Sequence, residues 1–332
     1  MPPSQWPCLR MTGYRGRPAR HPQARVFERC ERSWPPQSLK DSQNGGGAAA
    51  APGAWGCGCA GVRGVWNGGG VDTQQVLDLM KHVAAEVITP RFRSLTEGEV
   101  MEKNPGDLVT IADQESEAIL TRELSAAFPG AFVLGEERTS ADPTTLERYV
   151  AAEHAFTVDP VDGTKNFVHG SRDHAVMVSE VRHGETVRGW IWQPEHEVAW
   201  VAEKGAGVER NGEPVSRTPV PDGVAPQGVT SIWPLRGHSL GSLPPLVGSW
   251  VCCGVDYPRL IEGAADYILY ARNSPWDHSP GSLMVREAGG AVGHPDGTPY
   301  SPSALTPGII VAADRGTYAA VRRLAADAFT RR

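Results

Sequence analysis

The sequence predicts an α/β (α+β) protein whose sheets and helices form layers in two lobes. Apolar residues recur at helical spacing early in the globular part and alternate, as in antiparallel strands, in its middle. Helices and strands also come in groups rather than in strict alternation, which favours layered packing. The chain has 332 residues and no apolar run near the ~18 residues of a membrane span, so no membrane partner is expected.

The first 70 residues differ in composition from the rest. They contain nine Lys+Arg, three Asp+Glu, 13 of the 38 Gly and 8 of the 28 Pro. Gly and Pro at this density bury too little surface to offset chain entropy, so we predict that residues 1–70 are disordered. A second interpretation is that the biological start lies near Val71. No apolar stretch follows the first basic residues, which argues against a signal peptide and favours a cytoplasmic protein.

Residues 71–332 form the predicted globular domain and are acidic, with 23 basic and 35 acidic side chains. Because binding to a phosphate backbone needs a basic face, a nucleic-acid polymer is not an expected partner. Cys57 and Cys59 lack the spacing of a zinc site. Cys252 and Cys253 are neighbours in an apolar stretch, and a disulfide between neighbours is strained. We therefore expect two reduced thiols, as in a reducing cytosol.

Periodicity and punctuation place the elements in order. Asp72 and Thr73 cap a first helix that runs until Pro90, and a second helix starts near residues 110–113 and ends at Phe128. A short apolar run at 131–134 leads into Gly135-Glu136-Glu137. Strands are then predicted at 156–158, 175–181, 186–192, 198–202, 250–253, 267–270 and 308–312, with helices at 257–262, at 279–288 and at the C-terminus.

Five acidic residues fall at ends of predicted elements, namely Asp107, Glu136, Asp159, Asp162 and Asp277. Carboxylates brought together repel one another unless a hard cation or a shared proton compensates. A strand ends at Asp159, and Pro160 fixes a turn that lets Asp159, the Val161 carbonyl and Asp162 converge. Gly163 and Thr164 then offer backbone N–H groups at the start of a helix, where an anionic phosphate is favoured.

These residues belong to four ordered motifs that resemble those of the inositol monophosphatase family. Residues 159–167, Asp-Pro-Val-Asp-Gly-Thr-Lys-Asn-Phe, resemble its first signature. Trp276-Asp277, followed by Glu-Ala-Gly-Gly at 287–290, resembles the second. Gly135-Glu136-Glu137 and Asp107-Leu-Val-Thr-x-x-Asp113 match two further motifs in the family order. The resemblance covers residues 71–332 and none of 1–70.

The resemblance implies a layered αβαβα sandwich of the sugar-phosphatase type, a homodimer, and a magnesium-dependent, lithium-sensitive phosphomonoesterase with two or three ions. One ion would be held by Glu136, Asp159 and the Val161 carbonyl, and a second by Asp159, Asp162 and Asp277. Thr164 and Asp107 would orient or activate the attacking water, with Glu136 also part of the catalytic set. Gly163 and Thr164 would hold the phosphate, and Asp162 and Asp277 would line the substrate.

The substrate is less clearly implied. The family typically has a Glu seven residues before the second-signature Asp, and Tyr270 stands there in this chain. The default substrate is an inositol monophosphate, and the alternatives within related branches are histidinol phosphate, 3′-phosphoadenosine 5′-phosphate and fructose 1,6-bisphosphate. Arg172, Arg259 or Arg272 would be candidates to meet a second anionic group.

Two other interpretations were weighed. A haloacid-dehalogenase-like phosphatase needs an Asp two positions before the second Asp of its motif, and Pro160 stands there, which argues against that class. A binding protein that kept the fold but lost catalysis would show a neutral replacement among the inferred ligands. Glu136, Asp159, Asp162 and Asp277 are all present, which favours an enzyme.

Overall fold

A computed structural model describes residues 71–325 and Phe329. The predictions made for residues 1–70, including those for Cys57 and Cys59, lie outside the described residues. In the part of the chain that is described, every helix is too short or too polar to cross a lipid bilayer.

The domain opens with a helix, a hairpin and a second helix. Helix α1 (Thr73–Val83) starts at a capping box formed by Asp72 and Gln75, as its sequence predicts. It continues as a π-helical turn (Ala84–Ile88) and a 3₁₀ turn (Thr89–Arg91), and helical structure ends next to Pro90. Strands β1 (Val100–Asn104) and β2 (Asp107–Thr110) form an antiparallel hairpin that the sequence did not predict, and α2 (Ile111–Ala127) follows directly.

Seven strands form the larger sheet, in the order β3-β4-β5-β6-β7-β8-β9. The strands are β3 (Phe132–Gly135), β4 (His154–Asp162), β5 (Ala175–Arg182), β6 (Glu185–Gln193), β7 (Val198–Glu203), β8 (Gly207–Arg210) and β9 (Glu213–Val215). Strand β3 pairs in parallel with β4, and the other neighbours are antiparallel. The predicted antiparallel meander over β5 to β7 is therefore confirmed. Three short helices, α3 (Glu136–Ala141), α4 (Thr145–Ala151) and α5 (Thr164–Val168), flank β4 along the chain.

Five strands form the smaller, mixed sheet, in the order β11-β10-β12-β14-β13. They are β10 (Gly228–Thr230), β11 (Val247–Gly248), β12 (Tyr267–Tyr270), β13 (Ala291–Gly293) and β14 (Ile309–Ala312). The helices of this half are α6 (Cys253–Ile261), α7 (Pro275–Glu287) and α8 (Arg315–Ala325). Helix α7 starts four residues earlier than predicted, because Ser274 and Pro275 provide an N-cap and a first-turn proline.

The strand predicted at 250–253 is wrong. Helix α6 starts at Cys253, and the residues before it form a turn in which the Trp250 N–H donates to the Asp256 carboxylate at 2.8 Å. Val251 in this turn has a φ of 60°, a left-handed conformation that no strand residue adopts. The apolar run therefore ends against a helix N-terminus instead of joining a sheet.

The layers follow from which face each element buries. Helices α1 and α2 pack on one face of the larger sheet through residues such as Leu79, Leu120 and Trp190. Helices α6 and α7 lie between the two sheets, as in the cluster around Tyr257 and Met284. Helix α8 covers the outer face of the smaller sheet. This order, helix–sheet–helix–sheet–helix, confirms the predicted α/β class and its layered arrangement.

Candidate active site

Three carboxylates from distant parts of the chain meet at one point. Glu136 is the first residue of α3, Asp159 lies near the end of β4, and Asp277 lies in the first turn of α7. One oxygen of each lies within 4.8 Å of the other two. Asp159 is buried and the other two are partly exposed. We call Glu136, Asp159 and Asp277 the carboxylate cluster.

A local irregularity in β4 directly follows Asp159. Strand β4 pairs regularly with β5 up to Asp159, and the register shifts between Asp159 and Asp162. Pro160 lies within the shift and has no N–H to donate to a neighbouring strand. Gly163 follows with a φ of 81°, and a Cβ there would lie 3.0 Å from both the Asp173 carbonyl oxygen and the Cys252 Cβ. The turn into α5 therefore requires glycine.

Glu117 on α2 fixes the helix that carries Glu136. Its carboxylate accepts hydrogen bonds from the N–H groups of Glu137 at 2.6 Å and Arg138 at 2.8 Å. It thus supplies the cap that the preceding residue, Gly135, cannot provide. Burial raises the pKa of Glu117 to about 7, although the two N–H groups and Lys103 oppose the shift. The sequence motifs gave no signal for Glu117.

Lys103 offsets part of the negative charge next to the cluster. Its Nζ lies 2.6 Å from Glu136 Oε1 and 2.9 Å from Glu137 Oε1, and its side chain is 3% exposed. Burial lowers the pKa of Lys103, but the two carboxylates outweigh this and raise it overall. Burial and the nearby Glu136 raise the pKa of Glu137 to about 9. Lys103 lies on β1, outside every motif, so the sequence did not reveal it.

The donor set of the carboxylate cluster fits a hard divalent cation. Burial, and then the neighbouring carboxylates, raise the pKa values of Asp159 and Asp277 well above the usual range. Asp159 Oδ1 is buried and has no hydrogen-bond partner among the described residues. Crowded oxygen donors with an unsatisfied buried atom are the environment that Mg²⁺ and Ca²⁺ prefer.

Beside the cluster, Thr164 contacts Asp113 rather than Asp107. The Thr164 Oγ1 lies 3.1 Å from Asp113 Oδ1 and 3.1 Å from the Val161 carbonyl oxygen. Asp113 Oδ2 accepts from the N–H of Thr110 at 2.8 Å in the capping box of α2. Burial raises the pKa of Asp113 to about 6, against the hydrogen bonds from Thr110. Asp107 starts β2, and the Asn104 side-chain amide lies 3.5 Å from its carboxylate.

Asp162 is placed outside the carboxylate cluster. Its Oδ2 accepts hydrogen bonds from the Gly254 N–H at 2.5 Å and the Cys252 thiol at 3.1 Å, at the start of α6. Burial raises its pKa to about 7, although both donors oppose the shift. Of the predicted metal ligands, Glu136, Asp159 and Asp277 therefore meet. One oxygen of Asp162 instead accepts hydrogen bonds at the start of α6. Its part in metal binding stays a prediction.

A cleft of about 580 Å³ opens at this site. Its lining includes Asp107, Asp162, Lys165, Trp233, Arg236, Val251, Cys252, Cys253, Asp256, Tyr270, Arg272, Asp277 and His278. In one wall, the Tyr270 hydroxyl donates to Asp256 Oδ2 at 3.1 Å, and Asp256 Oδ1 accepts from the Trp250 N–H. Both side chains are buried, and burial raises the pKa of Asp256 to about 7. The buried polar groups of this wall are therefore hydrogen-bonded to each other.

The chain is similar to known proteins in sequence and in fold. The family model described as "Inositol monophosphatase family" matches residues 72–328. The inositol-1-monophosphatase of Bacillus subtilis is 29% identical over 207 residues, which are 60% of this chain and 76% of that protein. The Mesorhizobium japonicum inositol-1-monophosphatase is 31% identical over 226 residues, 64% and 82% respectively. The crystal structure of the extragenic suppressor protein suhB from Bartonella henselae superposes with a TM-score of 0.61 at 25% identity, covering 75% of this chain and 97% of that one.

Other relatives carry different names. A Thermotoga maritima protein, 26% identical, is named fructose-1,6-bisphosphatase/inositol-1-monophosphatase, and a Chlorobaculum parvum protein, 28% identical, is named histidinol-phosphatase. Similarity at this level is therefore shared by proteins whose names point to different substrates.

Proposed function

The chain belongs to the inositol monophosphatase family of phosphomonoesterases, and from this premise we propose that it hydrolyses a small phosphomonoester with Mg²⁺ at the carboxylate cluster. The observation that carries the proposal is the meeting of Glu136, Asp159 and Asp277 around a buried Asp159 oxygen that has no hydrogen-bond partner among the described residues. These three residues come from three separate elements, so their convergence is a property of the complete fold.

Glu136, Asp159 and Asp277 would hold Mg²⁺, and the Val161 carbonyl and Asp162 are the further ligands that the family motifs imply for two or three ions. Bound divalent cations lower the pKa of water and offset the charge that develops on a phosphoryl group. Lys103 would keep Glu136 in place and limit the net negative charge that an anionic substrate meets. The phosphate-holding role of Gly163 and Thr164 stays a prediction.

We assign the proton-accepting role to Asp113 acting through Thr164. The Thr164 hydroxyl has one proton to donate, to Asp113 or to the Val161 carbonyl, and its oxygen can at the same time accept a proton from water. A pKa of about 6 leaves Asp113 mostly ionised at neutral pH, close to the value that suits a general base. Asp107, predicted for this role, would instead line the cleft.

The default substrate is an inositol monophosphate, with histidinol phosphate, 3′-phosphoadenosine 5′-phosphate and fructose 1,6-bisphosphate as alternatives. The buried Tyr270–Asp256 pair is a reason to keep the alternative substrates under test. It leaves no free carboxylate at the wall position where the family has a Glu. A homodimer and a cytoplasmic location are predictions of the family resemblance and of the composition.

A phosphate-release assay over these four substrates tests the proposal. We expect release in Mg²⁺ that is lost with EDTA and strongly reduced in Glu136→Gln. Glu209→Gln, at an exposed carboxylate on β8 that β5, β6 and β7 separate from β4 in the larger sheet, is the matched control and should behave like the wild type. Absence of release from all four, with circular dichroism showing a folded chain, would contradict the proposed function.

A further inference from the structure

The cleft carries three cationic side chains besides its carboxylates: Lys165, Arg236 and Arg272. All three are exposed. Within the described residues, no carboxylate lies within 4.0 Å of any of them, whereas Arg182, Arg188 and Arg217 elsewhere in the fold are paired with carboxylates. Positive charge is therefore left free in the cleft itself.

The three arginines that the sequence analysis named as candidates for binding a second anion differ in whether they line the cleft. The Arg172 guanidinium donates to the Glu195 carbonyl, outside the cleft. Arg259 lies on the outer part of α6 with Glu262 at 4.0 Å. Arg272 alone of the three lines the cleft. It lies two residues after Tyr270 and five before Asp277, on the segment that joins the cleft wall to the helix of the carboxylate cluster.

Contacts are also formed next to Asp277 and at Arg236. Buried His278 follows Asp277 directly, and its Nδ1 lies 3.0 Å from the Tyr257 hydroxyl. Across the lining, the Arg236 guanidinium lies 5.3 Å from the centre of the Trp233 ring, which is 71% exposed. Within the described part of the chain, the guanidinium groups of Arg236 and Arg272 donate no hydrogen bond to another protein group.

The uncharged alcohol of a simple sugar phosphate gives these cations nothing to neutralise. The buried Tyr270 and Asp256 side chains are hydrogen-bonded to each other, so they need no hydrogen-bond partner from the substrate. A substrate with a second anionic group, in contrast, needs fixed positive charge to offset the carboxylates around it. A guanidinium binds a carboxylate or phosphate through paired N–H groups and is suited to that task.

We propose that Arg272, assisted by Arg236, binds a second anionic group of the substrate, so that the substrate class is a phosphomonoester whose alcohol carries a carboxylate or another phosphate. This inference rests on the proposed function and narrows its substrate. The scissile phosphate lies at the carboxylate cluster, and the second anion lies at the arginines of the same cleft.

Two matched substrate pairs test the proposal. Glycerol 2-phosphate and 2-phosphoglycerate differ by a carboxylate, and fructose 6-phosphate and fructose 1,6-bisphosphate differ by a phosphate. In at least one pair, we expect the wild-type kcat/KM to favour the doubly anionic member by about tenfold or more. Arg272→Gln should reduce that ratio by about tenfold, mainly through KM, and Arg272→Lys should restore part of it. The pair that responds identifies the anion.

Arg259→Gln is the control, since it removes an arginine outside the cleft. Equal kcat/KM within both pairs, or an Arg272→Gln ratio equal to that of Arg259→Gln, would overturn the inference while phosphate release still supported the proposed function. If the folded protein in Mg²⁺ releases no phosphate from these four esters and none from the other substrates of the proposed function, both proposals are contradicted. Thermal unfolding of each variant separates loss of binding from loss of fold.

Discussion

The Thr164 hydroxyl lies 3.1 Å from the Asp113 carboxylate, which joins the start of α5 to the first turn of α2 beside the carboxylate cluster. Asp113 is 1% exposed and also caps α2 through Thr110. One carboxylate thus stabilises a helix with one oxygen and faces the site with the other. This double use explains why a residue that looks like an ordinary cap can take part in chemistry.

Asp113→Asn should lower kcat by roughly 10²–10⁴-fold, because it removes the proposed proton acceptor from Thr164. Asp107→Asn is the matched control, and we expect it to lower kcat by less than tenfold. Steady-state phosphate release with Mg²⁺ measures both. A larger loss in Asp107→Asn than in Asp113→Asn would restore the role that the family resemblance implied for Asp107.

Asp277→Asn should reduce Mg²⁺-dependent turnover by more than about 100-fold, since losing even a residue that supports a metal ligand costs 10–100-fold. It should also abolish the rise in Tm that Mg²⁺ gives the wild type, because a cation that binds only the native state stabilises it. Differential scanning calorimetry with and without Mg²⁺ measures this. An unchanged Mg²⁺ effect on Tm would remove Asp277 from the ligand set.

Val251→Gly should raise Tm by a few degrees. Val251 has a φ of 60° and is 49% exposed, so glycine relieves a backbone cost of roughly 1–2 kcal/mol while losing little buried surface. The control is Val247→Gly, at a similarly exposed valine in β11 with no positive φ, which should lower Tm. If both variants lose stability equally, Val251 is not strained.

His174 should lower the stability of the fold as the pH drops from 6.5 towards 4, whereas buried carboxyls whose pKa values are raised, such as Glu117 and Asp256, should act in the opposite direction. Burial between Phe92 and Phe167 lowers the pKa of His174 to about 4. The unfolded chain then binds a proton that the native state resists, which costs up to about 1.4 kcal/mol per pH unit in this window. Asp173 and His196 are the charged groups that face it, and they act in opposite directions.

His174→Phe tests this directly, because it keeps an aromatic ring between Phe92 and Phe167 and cannot be protonated. Urea unfolding at pH 7.0, 5.5 and 4.5 should show the unfolding free energy of the variant rising relative to that of the wild type as the pH falls. Parallel pH profiles of the variant and the wild type would show that other groups, such as buried His278, account for the whole effect.

The sequence predicted the elements that rest on local rules. The cap at Asp72, the start of α2 near Thr110 and the alternation over β5 to β7 were predicted directly, because capping and amphipathic periodicity act within a few residues. The start of α6 was missed, since the turn before it depends on a hydrogen bond from Trp250 to Asp256 and on a left-handed Val251. Apolar character alone does not distinguish such a turn from a strand.

The site shows the same division. Glu136, Asp159 and Asp277 were identified because they lie in motifs, and the fold brings them together. Lys103 and Glu117 were missed, because a single lysine on a hairpin and a single glutamate in a helix carry no local signal. Their roles exist only after β1 and α2 pack beside α3. Choosing Asp113 over Asp107 likewise needed the position of Thr164.

The spread of the carboxylate cluster along the chain has a practical consequence for refolding work. Asp277 lies on α7, far along the chain from Asp159, and cannot approach it until α7 has docked between the two sheets. Uptake of a luminescent lanthanide by the complete carboxylate cluster would therefore time the docking of α7 and leave forms without it non-luminescent.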